Sequence, residues 1–413
     1  MTENTRREFI KTAAIGTAAL LANPRRVLGA NNRVRVGMIG PGSRGQELLR
    51  QLHEIPSVEV VGVADVYTRR FDEVKTIYPD AHTFSDYRRL LDVKDIDGIL
   101  VASPLHLHAR HFVDTLAAGK DLYAEKTMTW SIPEAEQCLE AAKKSDRVIQ
   151  IGLQHQNGGP WADARKWIND GLIGKVTQVQ AWMSRNTPHG KAQWVRTPPP
   201  DCTAQNVDWK AFLNGRPEGE FDAFRFLNWR LYWMFSGGNI TENMIHQIAW
   251  IMSALDLPVP SAAYMSGGVF SEKDGREVPD TIAVTLDFPN DLVVTWQSTF
   301  SNQLYGLGQK ILGSDGTIEY VAGSNDMVSG KSEETIRYVP ETVNRPNGTT
   351  LTGTSAGSNH MQNWIDCIRS RKTPAAPAEL GYRSAVAAHM SNISYRQKRR
   401  VTFEEARAYK PEF

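Results

Sequence analysis

Apolar positions in the first third of the chain fall in short runs separated by longer amphipathic stretches. Arg33–Ile39 alternates through Val34, Val36 and Met38 and closes on Ile39 into a glycine-rich turn. Val58–Ala64, Ile96–Ala102, Asp121–Ala124 and Val148–Leu153 are further runs of the kind that fill strands buried on both faces. Between them Gln46–His53, Tyr67–Tyr78, Ala109–Ala118 and Pro133–Lys144 carry helical periodicity. This strand–helix alternation predicts a doubly wound parallel sheet over residues 31–153.

The pattern changes at residue 154. Trp161–Asp170 reads as a helix stopped by Gly171. Longer alternating runs follow at Val176–Met183, Ala262–Phe270, Thr281–Phe288, Leu292–Phe300 and Gln309–Gly313, with a hairpin turn at Asp287–Asp291. They predict a large, mainly antiparallel open sheet, covered on one face by helices such as Ile240–Ala254. Asn186–Thr203, with Pro188 and Pro198–Pro200, and the polar, Gly-rich Ser324–Ser358 read as long loops. His360–Arg371 and Glu379–Gln397 are closing helices, able to pack back on the first domain. The expected fold is α/β, with a C-terminal α+β domain over 154–413. An open sheet with one bare face suggests a homodimer or homotetramer.

The turn after the first strand is Gly40-Pro41-Gly42-Ser43-Arg44-Gly45. In G-x-G-x-x-G the first glycine permits the tight turn, the second lets a pyrophosphate approach, and the third lets helix and strand pack closely. The following helix N-terminus offers unpaired N–H groups to phosphate. Asp65 ends the second run, where a carboxylate bonds ribose hydroxyls and repels a 2′-phosphate. These residues predict a Rossmann domain holding NAD, with NADP disfavoured. Arg69 and Arg70 are the nearest cations able to weaken that preference.

Composition adds limits. The 413 residues are 41% hydrophobic and 23% charged, with net charge +1. Residues 1–30 hold five of the basic residues and two acidic ones, so the chain without them stands near −2. Nothing here favours nucleic acid as a partner. Cys138, Cys202 and Cys367 lie far apart, and form neither a disulfide framework nor a metal cluster. Thr5-Arg6-Arg7-Glu8-Phe9-Ile10-Lys11 is a twin-arginine motif, and Thr12–Ala22 behind it is apolar but too short to span a bilayer. With Leu28-Gly29-Ala30 as cleavage site, residues 1–30 read as a Tat signal peptide. The expectation is a periplasmic or otherwise exported protein that meets the Tat machinery and does not insert stably in the membrane.

Two more segments carry a resemblance. Ser103-Pro104-Leu105-His106-Leu107-His108 follows the third run, and Glu125-Lys126-Thr127 follows the fourth, after Gly119–Ala124. With the glycine turn they resemble the Gfo/Idh/MocA oxidoreductases, the periplasmic glucose–fructose oxidoreductase type included. The resemblance implies that Gly40, Gly42, Ser43, Arg44, Gly45, Asp65, Ser103, Pro104, His108, Glu125 and Lys126 bind the cofactor. It also implies a reactive set of Lys126, Glu242 and His246. Residues 242 and 246 are i and i+4, which share a helix face. The family usually has Asp where this chain has Glu242, and Pro where it has Thr127.

Ten of eleven tryptophans lie from Trp161 onward. Phe224–Trp233 interleaves aromatics with arginines, a pattern suited to sugars, whose C–H faces stack and whose hydroxyls take hydrogen bonds. Arg225, Trp229, Arg230 and Tyr232 are candidate carbohydrate ligands, joined by His155 and Gln156 after the fifth run. His189 and Trp194 sit on the Pro-rich loop, a candidate lid or a contact to a neighbouring subunit. His106, His108, His111 and Asp114 match no metal-site spacing, and no metal is expected.

The expected function is hydride transfer between a tightly bound nicotinamide cofactor and a sugar or sugar derivative. The same resemblance offers an NAD-dependent glycoside hydrolase or lyase as the alternative. It works by transient oxidation, elimination and re-reduction; the family's N-acetylgalactosaminidases work so and lack the lysine.

Overall fold

In a computed structural model the described residues are 33–410, except 218, 305 and 323–333. The predicted Tat signal and its cleavage site lie outside them.

The first domain contains β1 (Val34–Ile39), α1 (Ser43–His53), β2 (Val58–Ala64), α2 (Arg69–Lys75), β3 (His82–Phe84) and α3 (Tyr87–Leu91). It continues through β4 (Gly98–Val101), α4 (His108–Ala117), β5 (Asp121–Ala124), α5 (Ile132–Lys143) and β6 (Ile149–Ile151). The six strands are parallel in the order β3-β2-β1-β4-β5-β6. The order reverses between β1 and β4, and a crevice opens beyond their C-terminal ends, where open α/β sheets bind ligands. β3 is a strand the apolar pattern does not predict. It has three residues and lies at the sheet edge, where no continuous apolar run is required.

The second domain opens with α6 (Gly159–Asn169), β7 (Val176–Met183), α7 (Trp209–Leu213) and α8 (Ala223–Leu227). A π-helical turn, Ile240–Met244, runs directly into α9 (Ile245–Ala254). There follow β8 (Ala262–Gly268), β9 (Thr281–Phe288), β10 (Leu292–Thr299), β11 (Leu307–Gly313), β12 (Gly316–Ala322), β13 (Glu334–Pro340) and β14 (Leu351–Thr352). The chain closes with α10 (His360–Ser370), α11 (Ala378–Gln397), β15 (Val401–Thr402) and α12 (Phe403–Ala408).

Among the described residues nine strands make one sheet in the order β14-β13-β12-β11-β7-β10-β9-β8-β15. All neighbours are antiparallel except β7 and β10, which run parallel. Ile282, Val284, Leu286 and Phe288 of β9 and Leu292, Val294 and Trp296 of β10 face the core. Gln247 of α9 fastens the helix layer to the sheet: it accepts from the Trp296 indole at 2.8 Å and donates to the Gly308 carbonyl at 2.7 Å.

The expectation of a loop over Ser324–Ser358 is corrected, since β13 and β14 lie within it. Among its described side chains β13 buries Ile336 and Tyr338 and turns Arg337 outward, so its composition reads as polar.

The closing helix α10 does return to the first domain. Trp364, Ile365 and Met361 join the β1–α1 core. Gln150 donates to the His360 carbonyl at 2.6 Å, and Arg371 pairs with Asp121 at 2.6 Å.

Candidate active site

The crevice is a cleft of about 690 Å³ running from the β2 end of the first domain to the start of α9. Its floor is the glycine turn. Gly40 has φ +82°, and a Cβ there would stand 2.6 Å from the Ser103 main chain, so the turn lies against the loop after β4. A Cβ on Gly45 would stand 2.6 Å from the Gly40 carbonyl oxygen. At Gly42 nothing lies within 4 Å of where a Cβ would be, and no side chain caps α1. An open glycine before an uncapped helix start fits a pyrophosphate.

Asp65 lines the cleft at the end of β2 and accepts the Tyr67 N–H at 2.8 Å. Burial pushes its carboxyl up to about 6. Donation from ribose hydroxyls favours the ionised form, so binding takes up the carboxylate and releases a proton below that value. NAD affinity is therefore expected to fall as pH drops through about 6, approaching about tenfold per pH unit. Titration of nucleotide binding across this range checks it, and Asp65→Asn is expected to flatten the curve. Arg69 and Arg70 are both tied to Glu73, at 3.0 and 2.6 Å. Arg70 also lies over the Tyr67 ring, 5.5 Å from its centroid.

Arg44 and Glu125 line the cleft but also engage each other, Nε to Oε1 at 2.9 Å, while Arg44 holds Glu47 at 2.9 Å. Arg44, a cofactor ligand by the family resemblance, thus stands in the cleft wall paired with two carboxylates. The histidines of the Ser103–His111 stretch are all engaged. His106 bonds the Phe212 carbonyl at 2.6 Å, and His111 bonds the Ser103 hydroxyl at 2.9 Å. His108 faces the carbonyls of Ser103 and Thr127, both at 2.7 Å, and so ties the loop after β4 to the loop after β5. Thr127, which stands in place of the family's Pro, donates its hydroxyl to the Thr241 carbonyl at 2.7 Å. It anchors the lysine loop to the start of the π turn.

Lys126, Glu242 and His246 converge at the opposite end of the cleft. Gly238, with φ +60°, admits the chain into the π turn. Asn243 donates to Asn239 at 2.5 Å and Asn239 to Ser298 at 2.8 Å, which pins that turn on β10. Lys126 Nζ donates to the Glu242 carbonyl at 2.9 Å and approaches its Oε2 at 3.4 Å. Arg230 Nε donates to the same Oε2 at 2.9 Å. Burial works to raise the Glu242 pKa, but Lys126 and Arg230 outweigh it and hold the carboxyl at about 2. The His246 ring stands 5.7 Å from that of His155. Burial, then the nearby Lys126 charge, drives its pKa well down, so His246 rests as a neutral imidazole, able to accept a hydrogen bond from a substrate hydroxyl. The site thus presents a fixed anion, two cations that share it, and a neutral imidazole.

Of the proposed sugar ligands, Trp229 and Arg230 line the cleft, with the guanidinium 4.2 Å over the indole. The other four stand behind the wall. Arg225 packs over Tyr232 at 4.7 Å, which spends both in aromatic packing beneath α8. His155 stacks on Trp161 at 5.0 Å, and Gln156 accepts from Arg165 at 2.8 Å. A 3₁₀ turn over Gln154–Asn157 sends Gln154 into the cleft in their place. Sequence reasoning also passes over Arg185, Arg196 and Asn243, which line the cleft. The signals were thin: Arg185 follows the end of β7, Arg196 sits among prolines, and Asn243 is a polar residue beside Glu242.

Residues 34–153 match the family model "Oxidoreductase family, NAD-binding Rossmann fold", and residues 214–403 match its partner, "Oxidoreductase family, C-terminal alpha/beta domain". The chain is 23% identical to the uncharacterized oxidoreductase YrbE of Bacillus subtilis over 68% of its length and 70% of the relative's. It is 27% identical to the inositol 2-dehydrogenase of Salmonella typhimurium over 42% of its length and 50% of that protein's. With the alpha-N-acetylgalactosaminidase of Shewanella oneidensis it shares 25% identity over 39% of each chain. Two solved structures share the fold at 17% identity, each covering 90% of this chain and 99% of its own. They are the aldose-aldose oxidoreductase of Caulobacter crescentus (TM-score 0.66) and a levoglucosan dehydrogenase in complex with NADH and L-sorbose (TM-score 0.68). Matches to both domain models, across most of a chain whose cleft joins the glycine turn to Lys126, make this protein a member of the Gfo/Idh/MocA oxidoreductase family.

Proposed function

We propose that this protein is an exported oxidoreductase that transfers hydride between a tightly held NAD and a sugar or sugar derivative. The observation that carries the reading is the convergence of Lys126, Glu242 and His246 at one end of the dinucleotide cleft. When bound, the cofactor supplies the hydride acceptor. His246, neutral and cleft-facing, takes the proton of the reacting hydroxyl. Lys126 donates to the same oxygen and stabilises the charge it develops. Glu242 stays ionised and positions Lys126 and Arg230. Trp229 offers an aromatic face and Arg230 a guanidinium to the sugar. Asp65 at the β2 end supports NAD over NADP.

Export rests on residues 5–11 and their apolar sequel. A cofactor carried out inside a folded chain has no exchangeable pool to draw on, so the redox cycle closes on the enzyme, with a second sugar restoring the first form of the cofactor. The fold shared with an aldose-aldose oxidoreductase supports this reading.

The likeness to an alpha-N-acetylgalactosaminidase favours a second reading, redox-neutral glycoside cleavage. One experiment separates the two. The purified protein is incubated with a panel of sugars and aryl glycosides without added NAD, and the nucleotide released on denaturation is identified. The dehydrogenase reading predicts NAD in the released fraction and oxidised sugar as product. Aglycone release with no net change in nicotinamide absorbance supports the hydrolase instead. Protein that never binds a nicotinamide nucleotide contradicts both.

A further inference from the structure

The chain between β7 and α8 does not stay with the second domain. It crosses the mouth of the cleft and fastens to the first domain on both sides. Beside Asp65, Asp208 donates its N–H to the Val66 carbonyl at 2.8 Å, Thr68 donates to the Asn206 carbonyl at 3.0 Å, and Tyr67 bridges Val207. The Tyr67 hydroxyl donates to Asp201 at 3.0 Å, and Arg69 pairs with Asp201 at 2.7 Å. On the β4 side, His106 holds the Phe212 carbonyl at 2.6 Å. The segment 194–214 is thus a strap over the crevice, and Trp194, Arg196, Asp208, Phe212 and Asn214 line the cleft beneath it.

Arg196 is the strap residue that reaches the glycine turn. Buried Asn228 grips its main chain, accepting its N–H at 2.7 Å and donating to its carbonyl at 3.0 Å. Its guanidinium Nη1 donates to the Ser43 hydroxyl, the first residue of α1, at 2.6 Å. Several other cleft cations have carboxylate partners: Arg44 with Glu125, Lys126 and Arg230 with Glu242, Arg70 with Glu73; Arg185 is an exception, donating to the Met183 sulfur at 3.6 Å. Arg196 has a hydroxyl. Burial, then Arg230 and Arg70, lower its pKa, as expected of a cation set among cations. A dianion above the uncapped start of α1 supplies the missing counter-charge, and a guanidinium fork matches phosphate oxygens.

We infer that Arg196 is a ligand of the cofactor's pyrophosphate, delivered by a strap that must lift before the nucleotide can leave. The inference rests on the proposed cofactor reading and supplies its retention mechanism from this chain's own residues.

The test is nucleotide retention. The full chain is passed through gel filtration, and the nucleotide remaining per chain is measured after denaturation. Separately, the protein is loaded with NADH, and release is followed by NADH fluorescence on displacement with excess NAD. Arg196→Ala is expected to release NADH about ten- to a hundredfold faster than the parent protein. Arg196→Lys should fall between them. Asp201→Asn, which loosens the strap without touching the cleft, should also speed release and expose residues 186–203 to protease. Equal release rates for the parent, Arg196→Ala and Asp201→Asn overturn the inference while leaving the cofactor reading intact. A parent protein that takes up no NADH at all overturns both.

Discussion

Lys126→Ala is expected to lower turnover by about a thousandfold, in the range for losing a positioned acid–base group, while nucleotide stays in the cleft. The separation follows from where the residues sit. The pyrophosphate end is built from the glycine turn and the start of α1, while Lys126 lies at the other end against Glu242. Removing the ammonium leaves Glu242 paired with Arg230 at 2.9 Å, so the site keeps a counter-charge and the fold should survive. The check is kcat alongside nucleotide per chain after denaturation. Unchanged turnover would take Lys126 out of the reaction. Loss of nucleotide in parallel would make it a cofactor ligand first.

Glu242→Gln should reduce both stability and activity, and its stability effect has a predictable pH dependence. The Glu242 carboxyl is held at about 2 against an ordinary value of 4.5. A depressed carboxyl stabilises the fold above its unfolded value, and that contribution drains away as pH falls from 4.5 through about 2. At neutral pH it amounts to about 3 kcal/mol, on the scale of breaking a buried ion pair. The variant leaves Lys126 and Arg230 without their shared anion. Denaturant unfolding at neutral pH and near pH 2 checks the sign: the gap between parent and variant should close in acid. A gap that persists there would mean the loss comes from packing.

The architecture of the first domain was legible because parallel strands buried on both faces are continuous apolar runs, and because each glycine of the turn answers a separate steric demand. The edge strands β3 and β14 were not, since an edge strand needs few buried side chains, and β13 beside β14 was hidden by its polar composition. At the site, Lys126, Glu242 and His246 came from the family resemblance and meet at one end of the cleft. A helical spacing alone would have missed the π turn that carries Glu242. The sugar-side residues fared unevenly. An aromatic and arginine-rich stretch does not say which rings are packing, and Arg225 with Tyr232 turned inward where Trp229 with Arg230 turned outward. Arg196 was hidden because its role depends on a loop from one domain crossing another, which no local pattern encodes.

The most direct test of the central claim is a single-turnover absorbance measurement on protein purified without added NAD. Mixing with an oxidisable sugar should raise reduced-nicotinamide absorbance to about one equivalent of the bound nucleotide, and adding a reducible sugar to the same sample should remove it. Glycoside cleavage without any such rise, or a rise that appears only when free NAD is supplied, would contradict a redox cycle closed on the bound cofactor.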